Sequence, residues 1–94
     1  MIYRTQVKII ADILSATKEY EYGEKGAGVT MIIRQANLSH TRLTKILRDL
    51  VSSGLLERIF EGKVSKYRIS VKGEHFLREY ERFEGFATSF GLRL

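Results

Sequence analysis

Apolar residues recur every three or four positions near the start of the chain: Val7, Ile10, Ile13, Leu14 and Thr17. That spacing lines one face of an α-helix, which it predicts from about Arg4 to Lys18. Ile9 and Ala16 widen the stripe, and Thr5 stands where an N-capping hydroxyl belongs. The period breaks over Glu19–Gly28, where three glycines and mixed charges predict a loop. This loop lacks the Gly-Lys-Ser/Thr ending of a phosphate-binding loop and does not follow a strand, so it reads as a connection.

A short helix is predicted over Met31–Ala36, capped by Thr30, with Ile32, Ile33 and Ala36 turned inward. Asn37 tolerates left-handed backbone and commonly ends a helix. Leu38 then plugs the turn, and Ser39 caps the next helix, which runs to about Ser53. Leu43, Ile46, Leu47 and Leu50 fall at i, i+3, i+4 and i+7, Val51 extends them, and Gly54 occupies the usual position after a helix. A short helix joined by about three residues to a second one is a helix-turn-helix. Opposite the apolar stripe lie Thr41, Lys45, Arg48 and Ser52, flanked by Arg42 and Thr44, with Asp49 to one side.

Alternation takes over at Leu55–Phe60 and Ser65–Ile69, which predicts two strands around a Glu61–Val64 hairpin loop. The hairpin exposes Arg58, Lys63 and Lys66, with Arg68 beside them. Ser70 caps a last helix from Val71 to about Phe90. Along it Phe76, Tyr80, Phe83, Ala87 and Phe90 are spaced 4, 3, 4, 3, a heptad seam with Leu77 and Phe86 beside it.

Composition narrows the possibilities. A chain of 94 residues is one modest core, for which pairing with a second copy adds stability. There is no cysteine, which excludes disulfides and thiolate metal sites. No apolar run approaches the ~20 residues that span a bilayer. The expectation is a soluble cytoplasmic protein, nucleoid-associated where DNA is bound. The net charge of +5 is localised: between Ser39 and Lys72 there are eight cations and three anions, so the rest of the chain sums to zero.

The predicted fold is therefore α+β and mostly helical. It is a winged helix-turn-helix of three helices, a two-stranded wing and a C-terminal dimerisation helix. Residues 1–72 would form the binding domain and 73–94 the dimerisation helix. In this arrangement the third helix enters a major groove and the hairpin reaches backbone or minor groove.

The stretch Thr30-Met31-Ile32-Ile33-Arg34-Gln35-Ala36-Asn37-Leu38-Ser39 resembles the helix-turn-helix core of a family of small archaeal winged-helix proteins. These are described as transcriptional regulators or DNA-binding chromatin-type proteins. Thr30, Ile32, Ala36, Asn37, Leu38 and Ser39 match the family pattern, as do Leu50, Gly54, Leu55 and Leu56 after it. Tyr67-Arg68-Ile69-Ser70-Val71-Lys72-Gly73 resembles the family's strand-to-helix junction. The resemblance runs from Ile9 to about Tyr80 and implies a dimer made by a long C-terminal helix. This chain departs from the pattern in a shorter last helix and a longer Lys18–Gly28 loop, which bears on the shape of the dimer.

The DNA-contacting residues expected from this reading are Ser39, His40, Thr41, Arg42, Thr44, Lys45, Arg48, Lys63 and Lys66. Arg42 or Lys45 suits guanine, and Thr41 and Thr44 suit thymine methyls or phosphate. For His40, phosphate contact and a plain half-exposed helix start both stand. For Lys63 and Lys66, protection of a strand edge competes with backbone contact. Tyr80, Phe83, Phe86, Ala87 and Phe90 are the expected homodimer interface. No metal site, cofactor, membrane contact or small-molecule ligand is expected, and His75 reads as a partly buried helix histidine. No nucleophile–base pairing suggests an enzyme. The competing function is a winged-helix docking module that binds protein rather than DNA.

Overall fold

The computed structural model describes residues 4–21 and 26–93, so part of the predicted loop, residues 22–25, lies outside it. Helix α1 spans Gln6–Tyr20, and the Thr5 hydroxyl accepts from the Lys8 N–H at 3.1 Å. Its buried residues are Ile9, Ala11, Ile13, Leu14, Ala16 and Thr17. Val7, expected inside, is 48% exposed, and Ile10 is only partly covered. The apolar face is thus rotated from the predicted one, because α1 is packed by several elements at once rather than by a single neighbour. The buried Thr17 hydroxyl donates to the Ile13 carbonyl at 2.8 Å, so its burial leaves no orphaned polar atom.

Two residues of the expected loop, Ala27–Gly28, form strand β1. Helix α2 follows at once over Val29–Ala36. Its N-cap is Gly28, which brings no side-chain cap, and Thr30 lies inside the first turn instead of capping it. The strand runs directly into the helix, leaving no room for a separate capping residue. At the other end Asn37 takes left-handed backbone, φ 56° and ψ 55°, as predicted. Arg4 clasps this turn: Nη1 donates to Asp12 Oδ2 and to the Ala36 carbonyl, both at 2.8 Å, and Nη2 to the Asn37 carbonyl at 3.0 Å. The guanidinium thereby satisfies carbonyls left open by the end of α2 and ties them to α1.

Helix α3 spans His40–Ser52, with Ser39 Oγ accepting from the Arg42 N–H at 3.2 Å. Leu43, Ile46, Leu47 and Leu50 are its buried residues, as the period predicted. It ends in a Schellman motif. The Leu55 N–H donates to the Leu50 carbonyl at 2.9 Å and the Gly54 N–H to Val51 at 3.1 Å, with Gly54 at φ +84°.

Strands β2 (Leu56–Glu61) and β3 (Val64–Ile69) pair antiparallel from Leu56↔Ile69 to Glu61↔Val64. The turn between them is only Gly62-Lys63, shorter than the predicted loop. Gly62 has φ +64° and Lys63 does not have positive φ, the signature of a type II′ turn that matches strand twist. β1 adds to the other edge of β3 through Ala27↔Tyr67 and Gly28↔Lys66, so the expected two-stranded wing is rooted in a three-stranded sheet, β1-β3-β2.

Helix α4 spans Val71–Thr88, and Ser70 Oγ accepts from the Gly73 N–H at 2.9 Å. Gly73, Leu77 and Tyr80 are buried, and Leu77 and Tyr80 join the core formed with α1, α2, α3 and the sheet. The Tyr80 hydroxyl donates to Glu84 Oε2 at 3.2 Å; burial first, then this bond, raise its pKa to about 12. The apolar seam divides along its length. Phe76 packs against the core, and Tyr80 and Ala87 are already buried within the chain. Phe83, Phe86 and Phe90 remain 57%, 62% and 68% exposed. An open apolar groove of about 470 Å³ runs beside α4, lined by residues including Val7, Leu55, Phe76 and Phe83. No described helix is long and apolar enough to cross a membrane.

Candidate nucleic-acid interface

The inward stripe of α3 fixes its outward face. With Leu43, Ile46, Leu47 and Leu50 buried, His40, Thr41, Arg42, Thr44, Lys45 and Arg48 are all exposed, as is the capping Ser39. Among the described residues, Arg42, Lys45 and Arg48 have no ion-pair partner. Unpaired guanidinium and ammonium groups on a rigid helix suit phosphate oxygens and guanine edges. The Thr44 hydroxyl donates back to the His40 carbonyl at 2.8 Å, which fixes its rotamer.

Strand parity sorts the wing cations onto two faces. Residues directly opposite across the β2–β3 ladder share a side of the sheet. Leu56, Tyr67 and Ile69 are buried, so their side faces the core. Arg58 and Phe60 have the parity of Leu56, with Tyr67 and Ser65 opposite them, and carry that same face out toward the hairpin tip. Glu57, Ile59, Glu61, Lys66 and Arg68 lie on the other face. There the charges cancel: Lys66 Nζ sits 3.1 Å from Glu61 Oε2 and Arg68 Nε 3.1 Å from Glu57 Oε1.

Lys66, an expected DNA contact, is thus paired on the side of the wing away from Arg58. Arg58, which the hairpin reading exposed but did not count among the contacts, is on the inner side with no ion-pair partner among the described residues. The apolar parity of Leu56, Tyr67 and Ile69 carried that information in the sequence. Lys63 lies in the turn itself, exposed, with no ion-pair partner among the described residues.

The helix and the wing form two adjoining depressions. A depression of about 440 Å³ over α3 is lined by His40, Thr41, Thr44, Lys45 and Arg48. A smaller notch of about 180 Å³ between α3 and the sheet is lined by Thr44, Arg48, Val51, Ser52, Arg58 and Tyr67. Thr44 and Arg48 belong to both, so Arg58 continues the cationic surface of α3 onto the wing. Ser52 is an additional exposed residue of this surface, and the buried Tyr67 lines the notch beneath it.

The junctions on either side of the wing hold this geometry. Ser70 Oγ donates toward the Gly54 and Leu55 carbonyls at 2.6 and 3.0 Å, and the Ser70 N–H donates to Leu55 at 3.2 Å. Lys72 Nζ reaches the Ser53 carbonyl at 3.4 Å, near the C-terminal end of α3. The end of α3 is thus bonded to the start of α4 across the root of the hairpin.

A family model described as winged helix-turn-helix matches residues 3–88. Among solved structures, the crystal structure of Sso10a-2, a DNA-binding protein from Sulfolobus solfataricus, is similar to this chain with a TM-score of 0.79. The two are 26% identical, and the similarity covers 93% of this chain and 85% of that one. No curated protein sequence matches the chain. The family match spans nearly all the elements described above, and the chain belongs to the winged helix-turn-helix family.

Proposed function

We propose that this protein binds double-stranded DNA, with α3 in the major groove and the wing against the neighbouring backbone. The observation that carries this reading is the cationic surface that runs from Arg42, Lys45 and Arg48 to Arg58 and Lys63, none of them ion-paired among the described residues. Thr41 and Thr44 add hydroxyl and methyl groups for base edges, and Ser39 and His40 lie at the helix start, where backbone N–H groups favour phosphate. Similarity to Sso10a-2, itself a DNA-binding protein, supports the same reading. A DNA-bound protein of this kind resides with the nucleoid in the cytoplasm, as a transcriptional regulator or a chromatin-associated protein. Its role is binding rather than catalysis.

The active species is a homodimer joined through α4. Phe83 and Phe86 on α4 and Phe90, two residues beyond its end, support this, because three exposed phenyl rings close together are costly in water. Phe86 and Phe90 already pack edge to face, with centroids 5.2 Å apart, and offer a ready-made aromatic surface. Tyr80 and Ala87 support that surface from within the chain. The Phe83→Glu/Phe86→Glu variant should sediment as a folded monomer at concentrations where the parent is a dimer. Equal sedimentation of the two would remove α4 as the interface.

The test of DNA binding is fluorescence anisotropy of a labelled duplex at stepped salt. With about four phosphates neutralised per subunit, log K should fall against log salt with a slope on the order of −7 for the dimer. A duplex that stays unbound at low salt would end this reading. Selection from random duplexes then distinguishes the two roles: one enriched motif marks a regulator, a flat outcome a chromatin protein.

A further inference from the structure

The tip of the wing carries an aromatic ring that the fold does not use. Phe60 is 66% exposed, on a strand whose other inward residues reach the core or the α3 notch. Its cross-strand partner is Ser65, too small to cover a phenyl ring. Val64, one residue before Ser65 at the start of β3 and also exposed, extends the apolar tip on the other face.

The ring is not free to lie in any direction. The Arg58 guanidinium sits over it, 4.9 Å from the ring centroid. Arg58 Nε also donates to Ser65 Oγ at 3.2 Å, so the guanidinium is held from two sides. Lys63 follows three residues later in the turn. An exposed ring therefore carries a guanidinium over its face, with a lysine in the adjoining turn, on the face of the wing that continues from α3.

A hydrophobic side chain with a guanidinium held over it, near the tip of a narrow hairpin, fits one polyanion feature well. Cations bind the phosphates on both sides of a minor groove, while the apolar group enters between base pairs and unstacks them. A ring that only protected a strand edge would not need a guanidinium fixed over it, nor the parity of the DNA-facing surface.

We propose that Phe60 is a wedge that enters the minor groove, opens a base step and bends the duplex toward the major groove. The inference rests on the DNA-binding reading above and adds a deformation to it. Flexible pyrimidine–purine steps open most easily, so sites with such a step under the wing should be bound best. Arg58 and Lys63 then hold the phosphates on either side of the opened step.

The experiment uses the full chain and a duplex of about three helical turns, with a fluorescence donor and acceptor at its ends. Phe60→Ala and Phe60→Leu are compared with the parent for affinity, salt slope and end-to-end transfer. The parent should raise the transfer efficiency on binding. Phe60→Ala should bind about tenfold more weakly and leave the duplex unbent, with an unchanged salt slope because no phosphate contact is lost. Phe60→Leu should keep part of the bend. Equal bending by Phe60→Ala and the parent, or binding by the parent without bending, would overturn the wedge while leaving DNA binding intact. So would a change of sedimentation in Phe60→Ala, which would mean that the ring is covered by a second copy. Failure of the parent to bind any duplex would instead sink the DNA reading itself. Phe60 is too exposed for its loss to unfold the domain, and unchanged thermal melting of Phe60→Ala would verify this.

Discussion

Lys45→Ala/Arg48→Ala should bind duplex DNA roughly 100-fold more weakly than the parent at moderate salt, from two lost charge-assisted phosphate contacts of about 1.5 kcal/mol each. Both side chains project from the middle of the exposed face of α3, and neither has an ion-pair partner within the described chain. Their removal therefore costs the fold almost nothing, and the whole effect falls on binding. Two signatures separate loss of contact from a general fall in charge. The salt slope should become shallower by about 2 per subunit, one for each cation that had met a phosphate. Arg78→Ala/Arg82→Ala removes the same charge from exposed positions on α4 and should change affinity only slightly. If the two double variants were equally impaired, the surface would be an unspecific cationic field rather than a defined α3 face. If neither were impaired, a protein-docking role for the basic face would gain ground.

The second large effect concerns the joint on which the wing is mounted. Gly73 lies in the first turn of α4, directly over the Leu55 carbonyl. A Cβ there would collide with the Leu55 oxygen and come within 2.8 Å of Ile69 Cγ1. The Leu55 carbonyl is itself fixed by bonds from the Ser70 N–H and hydroxyl, so it has no freedom to yield. Gly73→Ala should therefore destabilise the domain by about 3 kcal/mol, at the upper end of overpacking costs. In a domain of this size that lowers Tm by roughly 12 °C or more. Gly85→Ala supplies the opposite sign on the same helix. A Cβ at Gly85 meets nothing within 4 Å, and an exposed helix glycine exchanged for alanine gains up to about 1 kcal/mol. Thermal melts of the two variants measure both, and a Gly73→Ala Tm equal to the parent's would show that the joint yields.

What was legible in the chain follows from how far each feature reaches. Thr5, Asn37, Ser39, Gly54 and Ser70 could be assigned as caps because each acts on backbone within a few residues of itself. The α3 face was legible for the same reason, since one helix period determines both its inside and its outside. The departures all depend on distant partners. β1 has two residues and no period, and it exists only because the edge of β3, some forty positions away, accepts it. Val7 lost its place in the core because the packing around α1 turns another face inward. Lys66 reads as a free wing cation until the register brings Glu61 beside it.

The α4 seam was the least separable feature. Its heptad spacing serves two purposes at once, covering the core through Phe76 and Tyr80 and leaving Phe83, Phe86 and Phe90 outside. Periodicity alone records that these positions share a stripe. It does not record where the domain beneath the stripe stops. The same ambiguity explains Arg58 and Phe60, whose strand parity is that of the core residues Leu56, Tyr67 and Ile69 but whose position lies beyond the core's edge.

The most direct test of the α3 face is a map of backbone amide shifts in the isotope-labelled protein during titration with a short duplex. The account predicts that the shifts concentrate in residues 39–48 and at residues 58–63 of the wing, while α4 beyond Tyr80 stays unchanged. Shifts centred on α4, or spread without relation to the α3 surface, would contradict it.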